Sequence, residues 1–381
     1  MMRMKRRLIS SLILGVGALG AAASALAQTG TSVEAGDWPY HHGNFKAQRY
    51  SPLDQINAEN ASELEVAWSF DTAKIGPSAE FNNPSTPIEI DGVLYITAGA
   101  TRNVLALDAT SGQILWLWRP QEGQRYDDAP RKGAGRGVSF YRDGDETRIV
   151  TITPGFQLVS LDAKTGIPDP DFGNNGVVDM YVGLRNAFAD GYDDLDIGSS
   201  MPPLVMNDVI VVGPAHRVGM RPRSKTNVVG DVRGYDARTG EHLWTFHTIP
   251  ERGEVGYETW LDSGVEFTGN AGVWAQLSGD PERGHVYLPV ESATGDRYGG
   301  DRPGDNLFAN ALVTVDVKTG ERIWHYQLIH HDIWDWDNPS APVAATLPNG
   351  RDVVMQVTKQ SWVYTFDADT GEPVWPIEER P

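Results

Sequence analysis

The sequence contains no cysteine, so nothing in it can be stapled by disulfides, even outside the cytoplasm. It is also poor in basic residues. Lys and Arg number 32 against 51 Asp and Glu, a formal net charge of −19. That balance excludes the basic face that nucleic acid rewards, and it argues equally against adsorption to anionic lipid. Beyond residue 27 no stretch is long and apolar enough to span a membrane. The chain of 381 residues is too long for one ordinary compact core unless its architecture repeats.

The one long apolar run lies at the start. Arg3, Lys5, Arg6 and Arg7 supply a positive head, and Leu8 to Ala23 is mostly apolar. Ala25-Leu26-Ala27 then offers a small-x-small cleavage site before Gln28. Residues 1–27 therefore read as an export signal and residues 28–381 as the mature domain. An uncleaved anchor is the alternative, because the run is near the lower limit for a span. Arg6-Arg7 also matches the core of a twin-arginine signal. Losing these four basic residues moves the net charge from −19 to −23.

What is abundant is a repeat: apolar-x-apolar-Asp, three residues, Gly, three residues, Trp. It runs through Asp108, Gly112 and Trp116, then Asp236, Gly240 and Trp244. Two further copies use Asp316, Gly320 and Trp324, and Asp367, Gly371 and Trp375. A degenerate copy has Asp162 and Gly166 but Pro170 where Trp is expected. Each copy reads as strand, tight turn and strand, with the glycine at positive φ and the indole packing between units. Two more strands separated by polar turns precede each copy, for example at Asp91-Gly92 and Asn349-Gly350. Four antiparallel strands repeated radially predict an all-β fold, a β-propeller with about five blades present. Leu64–Phe70, with Trp68, reads as the last strand of a further unit. The chain stops at Pro381, just after the expected fourth strand of blade five, so a C-terminally truncated sequence is expected.

Strand parity places the chemistry. Within a blade, loops between the second and third strands share one face with the connections from one blade to the next. The long insertions, 215–231, 247–272 and 291–310, all fall on that face. So does His330-His331-Asp332-Ile333-Trp334-Asp335-Trp336-Asp337, between blades four and five. Two imidazoles, three carboxylates and two indoles in eight residues suit a cleft rather than a buried strand. Arg136, Trp274, Thr294 and Lys359 fall on the same face. Together they suit a flat, anionic, oxygen-rich ligand with a bound cation, and a carboxylate beside it could take a proton from a hydroxyl. Each also has a plainer reading: Trp274 as blade packing, Lys359 as a solvated turn lysine, Thr294 as a loop hydroxyl, and the three aspartates as a structural calcium loop.

At these residues the chain resembles the quinoprotein dehydrogenases, and most closely their glucose-dehydrogenase-like branch. The resemblance runs from Asp37-Trp38-Pro39 and Arg49-Tyr50-Ser51-Pro52-Leu53 to the last residue, and it includes Tyr298-Gly299-Gly300. It implies an eight-bladed propeller carrying pyrroloquinoline quinone (PQQ) and calcium or magnesium. Asp335 then matches the catalytic base and Trp274 the tryptophan under the quinone ring. Lys359 matches the basic residue on the quinone oxygens, and Thr294 a residue near cofactor and metal. The resemblance further implies oxidation of a sugar or alcohol in the periplasm, with electrons passed to a quinone or cytochrome. The chain departs from the family in lacking the vicinal cysteines of the alcohol branch. It reads Gly99-Ala100-Thr101-Arg102 where the glucose branch has a histidine, and Ala215-His216-Arg217-Val218 at the metal segment of blade three. A non-catalytic scaffold propeller and a sugar-binding propeller are the competing functions.

Overall fold

The computed structural model of the protein describes residues 36–186, 196–217 and 225–379. The export-signal reading of residues 1–27 lies outside them. Blade one is β1 (Ile88–Ile90), β2 (Val93–Ala98), β3 (Asn103–Asp108) and β4 (Ile114–Trp118). Blade two is β5 (Ser139–Asp143), β6 (Glu146–Ile152), β7 (Gln157–Asp162) and β8 (Val177–Asp179). Next come β9 (Ile197–Gly198), β10 (Leu204–Met206), β11 (Val209–Val212), β12 (Ala215–His216), β13 (Val232–Asp236) and β14 (His242–Phe246). Of these, β10, β11, β13 and β14 make blade three, while β9 and β12 pair separately. Blade four is β15 (Ser278–Asp280), β16 (His285–Pro289), β17 (Ala311–Asp316) and β18 (Arg322–Gln327). Blade five has only β19 (Val343–Thr346), β20 (Asp352–Val357) and β21 (Val363–Asp367). All named pairings are antiparallel in the expected up-and-down order.

The repeat works as its residues predict. In blade four, Asp316 Oδ1 accepts from the backbone N–H groups of Lys318 and Thr319, both at 2.9 Å, and Gly320 turns the chain at φ +70°. Each glycine then receives the indole of the preceding unit. A β-carbon on Gly112, Gly166, Gly320 or Gly371 would fall within 2.6 Å of Trp68, Trp116, Trp244 or Trp324 respectively. The same four indoles donate Nε1–H to the carbonyls of Ala109, Ala163, Val317 and Ala368 at 2.8–3.1 Å. Stacking and a hydrogen bond therefore lock every seam that carries the indole.

Three departures have local causes. Blade five lacks the expected fourth strand because Pro373 and Pro376 remove its ladder donors, leaving one bridge from Phe366 to Pro373. Leu64–Phe70 forms no strand; its Trp68 and Phe70 dock, while Leu64 and Val66 stay exposed. At the junction of blades two and three, where Pro170 stands for Trp, Phe172 and Val178 cover Gly240 instead. One feature was not anticipated. Residues 37–49 form a strap across the inner strands. Trp38 pairs with Glu89 of blade one, the Tyr40 ring meets Phe140 of blade two, Phe45 O accepts from Gly279 N of blade four, and Lys46 O accepts from Ala344 N of blade five.

Candidate active site

Parity holds: every candidate residue lies outside the strands on the predicted face. Arg136 precedes β5, Thr294 joins β16 to β17, segment 330–337 joins β18 to β19, and Lys359 joins β20 to β21. Trp274 precedes the inner strand of blade four. That strand begins only at Ser278, because residues 271–273 bond sideways to Ser292, Glu291 and Pro214.

The 330–337 loop is built on Asp332, which is 3 % exposed and acts as its internal post. The Asp332 carboxylate accepts from the N–H of Trp334 (3.0 Å) and Trp336 (2.9 Å), and from Ser292 Oγ at 2.5 Å. His331 and Asp335 are forced to φ +50° and +61°, the left-handed region that costs non-glycine residues energy. His330 points outward to Glu379, and Trp334 is exposed. A structural calcium loop of Asp332, Asp335 and Asp337 does not form, since Asp332 turns inward on its own loop. Among the described residues no three His, Asp or Glu side chains group so as to hold a metal.

The charges converge on Lys359. Its ammonium donates to Asp337 Oδ2 (2.7 Å) and to the Asp335 carbonyl (2.8 Å), and it lies 3.3 Å from Asp335 Oδ2. Asp337 also accepts from Trp274 Nε1 (3.2 Å) and Ser292 N (2.9 Å), so one carboxylate aligns the indole and the ammonium. Burial opposes the charge on Lys359, but Asp337 and Asp335 outweigh it and hold its pKa above the ordinary lysine value. Burial, then Asp337, raises the Asp335 carboxyl above the usual carboxylate range, against the pull of Lys359. Asp296 is pushed up to about 6, first by burial and then by Asp335 and Asp337. One ammonium among three crowded carboxyls leaves Asp335 a stronger proton acceptor than a free aspartate.

Above the Trp274 ring stand two cations, Lys359 Nζ at 5.9 Å and the Arg136 guanidinium at 6.0 Å from its centre. Among the described residues, the hydrogen-bond-range contact of the Arg136 side-chain nitrogens is with Met201 Sδ, at 4.0 Å. Arg131, which sequence reasoning missed, lies in the same field: its buried Nε has no hydrogen-bond partner among the described residues, and burial lowers its pKa while Glu291 and Asp337 support its charge. An indole platform with the Arg136 guanidinium over its ring and the unpartnered Arg131 Nε nearby fits a flat polyanion such as PQQ. Thr294 is buried, its hydroxyl donating to Asn270 Oδ1 and accepting from Gly269 N, both at 3.1 Å. His216 sits where the metal segment of blade three was expected. It turns to Glu291 at 2.9 Å, and Glu291 in turn holds Gly272 N behind Trp274. Asp337 lay inside the 330–337 motif without a role of its own, while Asp296 and Arg131 carried none; only the crowding of 291–297 and the Arg-Lys-Gly-Ala-Gly-Arg run at 131–136 could have marked those two.

The chain is similar to known proteins along nearly its whole described length. Residues 38–381 match the family model of the PQQ glucose/ethanol/alcohol dehydrogenase β-propeller domain. The glycerol dehydrogenase large subunit of Gluconobacter thailandicus is 31% identical over 91% of this chain and 47% of its own length. Quinoprotein glucose dehydrogenase A of Acinetobacter calcoaceticus is 30% identical over 93% of the chain and 46% of its length. The structure of a quinohemoprotein alcohol dehydrogenase from Pseudomonas putida superposes with a TM-score of 0.73 at 29% identity, covering 94% of this chain and 49% of that one. The chain thus spans about half the length of the curated relatives it matches. With the match running through nearly every described residue, the chain belongs to the PQQ-dependent quinoprotein dehydrogenase family.

Proposed function

We propose that the protein carrying this chain is a periplasmic dehydrogenase that oxidises a hydroxyl group of a sugar or alcohol and passes the electrons to a quinone or cytochrome. The observation that carries this reading is the stack of Arg136 and Lys359 over Trp274 with Asp335 at its edge. When bound, PQQ supplies the two-electron acceptor. Trp274 gives it a flat floor, and Arg136, Arg131 and Lys359 meet its negative charge. Asp335 Oδ2 takes the proton of the substrate hydroxyl as hydride leaves the carbon, so charge does not build on the oxygen. Lys359 holds that carboxylate in place and stabilises it before transfer. A calcium or magnesium ion would need oxygens from the cofactor as well as Asp335 and Thr294, because the described side chains form no cage alone.

The test is reconstitution of the protein with PQQ and calcium, followed by a dye-linked screen of sugars and alcohols. Asp335→Asn should lower turnover at least ~10²-fold, in the range of a lost general base, with PQQ still bound. Trp274→Ala should weaken PQQ binding as read by tryptophan quenching. Full activity in Asp335→Asn would remove it as the base. Absence of PQQ binding would leave the scaffold or sugar-binding readings.

A further inference from the structure

Arg302 heads the largest fully buried side chains, at 1 % exposed, yet all of its hydrogen bonds end on neutral oxygens. Nε donates to Thr294 O (3.0 Å), Nη1 to Asn306 Oδ1 (2.7 Å), and Nη2 to Gly295 O (3.2 Å) and to Asp332 O. Asn306 Nδ2 returns a bond to Arg302 O at 2.8 Å. Three of the four acceptors are main-chain carbonyls, and they belong to the two loops that carry the site. One planar group therefore ties the 294–306 loop to the 330–337 loop from beneath.

A guanidinium buried without a touching carboxylate is an expensive way to fill space, and hydrocarbon would pack there more cheaply. What only Arg provides is a rigid fork with five donors, able to grip carbonyls in three directions at once. Its charge is unspent on any contact partner, so it acts through space on the nearest carboxylates, Asp332 first and then Asp296. The carbonyl it holds is that of Asp332, the post of a loop whose next residues include Asp335 at φ +61°. A left-handed aspartate persists only where its surroundings over-determine it.

We propose that Arg302 is a positioning residue of the dehydrogenase site, setting the span between the Thr294 edge and the Asp335 edge. This rests on the function proposed above. Misplacement of a reacting group by an ångström costs about 10²-fold in rate. In the protein reconstituted with PQQ, Arg302→Ala should therefore lower kcat by about that factor while KM for the substrate moves less than roughly threefold. PQQ affinity, read by tryptophan quenching, should fall as well. Millimolar guanidinium should restore part of both losses in Arg302→Ala and neither in Trp274→Ala. Arg302→Lys keeps a buried charge but reaches fewer acceptors, so it should lose kcat with its Tm nearly unchanged. It decides the matter if the alanine variant does not fold. Wild-type kcat and PQQ affinity in folded Arg302 variants would overturn this inference alone, as would a loss that guanidinium does not restore and that simply tracks Tm. If PQQ binds neither the parent protein nor Trp274→Ala differently from buffer, the dehydrogenase reading fails and the role of Arg302 falls with it.

Discussion

His41, His42 and His325 are held uncharged, with pKa values pushed down to about 4, about 3 and about 4. Burial is the leading cause in each, and neighbouring arginines add to it: Arg49 for the first two, Arg322 for His325. Arg322 Nη1 lies 3.1 Å from His325 Nδ1, where a neutral ring accepts and an imidazolium cannot. A folded pKa below the ordinary 6.5 means the unfolded chain binds protons that the folded one refuses. Their stabilising effect is therefore complete above about pH 6.5 and is lost as pH falls toward 4. Asp296, at about 6, works the other way, taking its proton in the folded state first. Asp335 and Glu89, both raised first by burial, act in the same sense as Asp296, and the three depressed imidazoles outweigh them. Thermal unfolding should show Tm falling from pH 7 to pH 4.5, and His325→Gln should flatten the slope. A Tm that rises on acidification would contradict this balance. None of these three histidines could be marked from sequence: Arg49 and Arg322 lie near them in the chain, but burial, the leading cause, is set by the fold and leaves no local pattern.

The blade-to-blade lock of indole on glycine is the strongest recurring element. Trp244→Ala removes a ring stacked on Gly320 and a 3.0 Å bond to the Val317 carbonyl, so a loss of about 3–5 kcal/mol is expected in chemical denaturation. Gly320→Ala should cost more than about 1 kcal/mol, because φ is +70° there and the new methyl meets the same ring. Trp116→Phe keeps the stacking but drops the 2.8 Å bond to Ala163, for about 1 kcal/mol. Equal stability of Gly320→Ala and the parent would break the account. This lock was legible because each of its parts has a local cause: Asp for the turn, Gly for positive φ, Trp for the seam. The exceptions were not. Phe172 replaces the missing indole of blade two from an insertion whose path no spacing predicts. The fourth strand of blade five was read from an apolar-Trp pattern, although Pro373 and Pro376 already argued against a full ladder. Segment 64–70 kept its docking indole and lost its pairing, which shows the two features to be separable. The strap at 37–49 depends on contacts with sheets up to 300 residues away, and no periodicity carries that information.

Over the whole molecule, the site was legible through parity: once four strands per blade were counted, the loops bearing Asp335, Lys359 and Thr294 had to share a face. The same scale sets opposing forces at the surface of blade five. Trp362 and Trp375 are 63% and 62% exposed there, along a groove of about 570 Å3 that also includes Val363, Tyr364 and Ile377. Beside it, among the described residues, the outer side of β21 is met by the Phe366–Pro373 bridge and by bonds from Val374 N to Thr365 O and from Asp367 N to Glu372 O, so most of that edge lacks a ladder partner. Apolar surface and an unpaired edge both favour association. A net charge of −19 opposes it, but only over the screening length, which shrinks from about 30 Å at 0.01 M salt to about 3 Å at 1 M. Association of the chain should therefore grow with salt, the reverse of what an ion-paired interface would do. Sedimentation velocity between 0.02 and about 0.5 M NaCl should show the mass-average coefficient rising. Replacing Trp362 and Trp375 together by Glu should hold it at the monomer value. A coefficient independent of salt in the parent chain would mean that this face does not associate despite its exposure, and that repulsion was never what kept it apart.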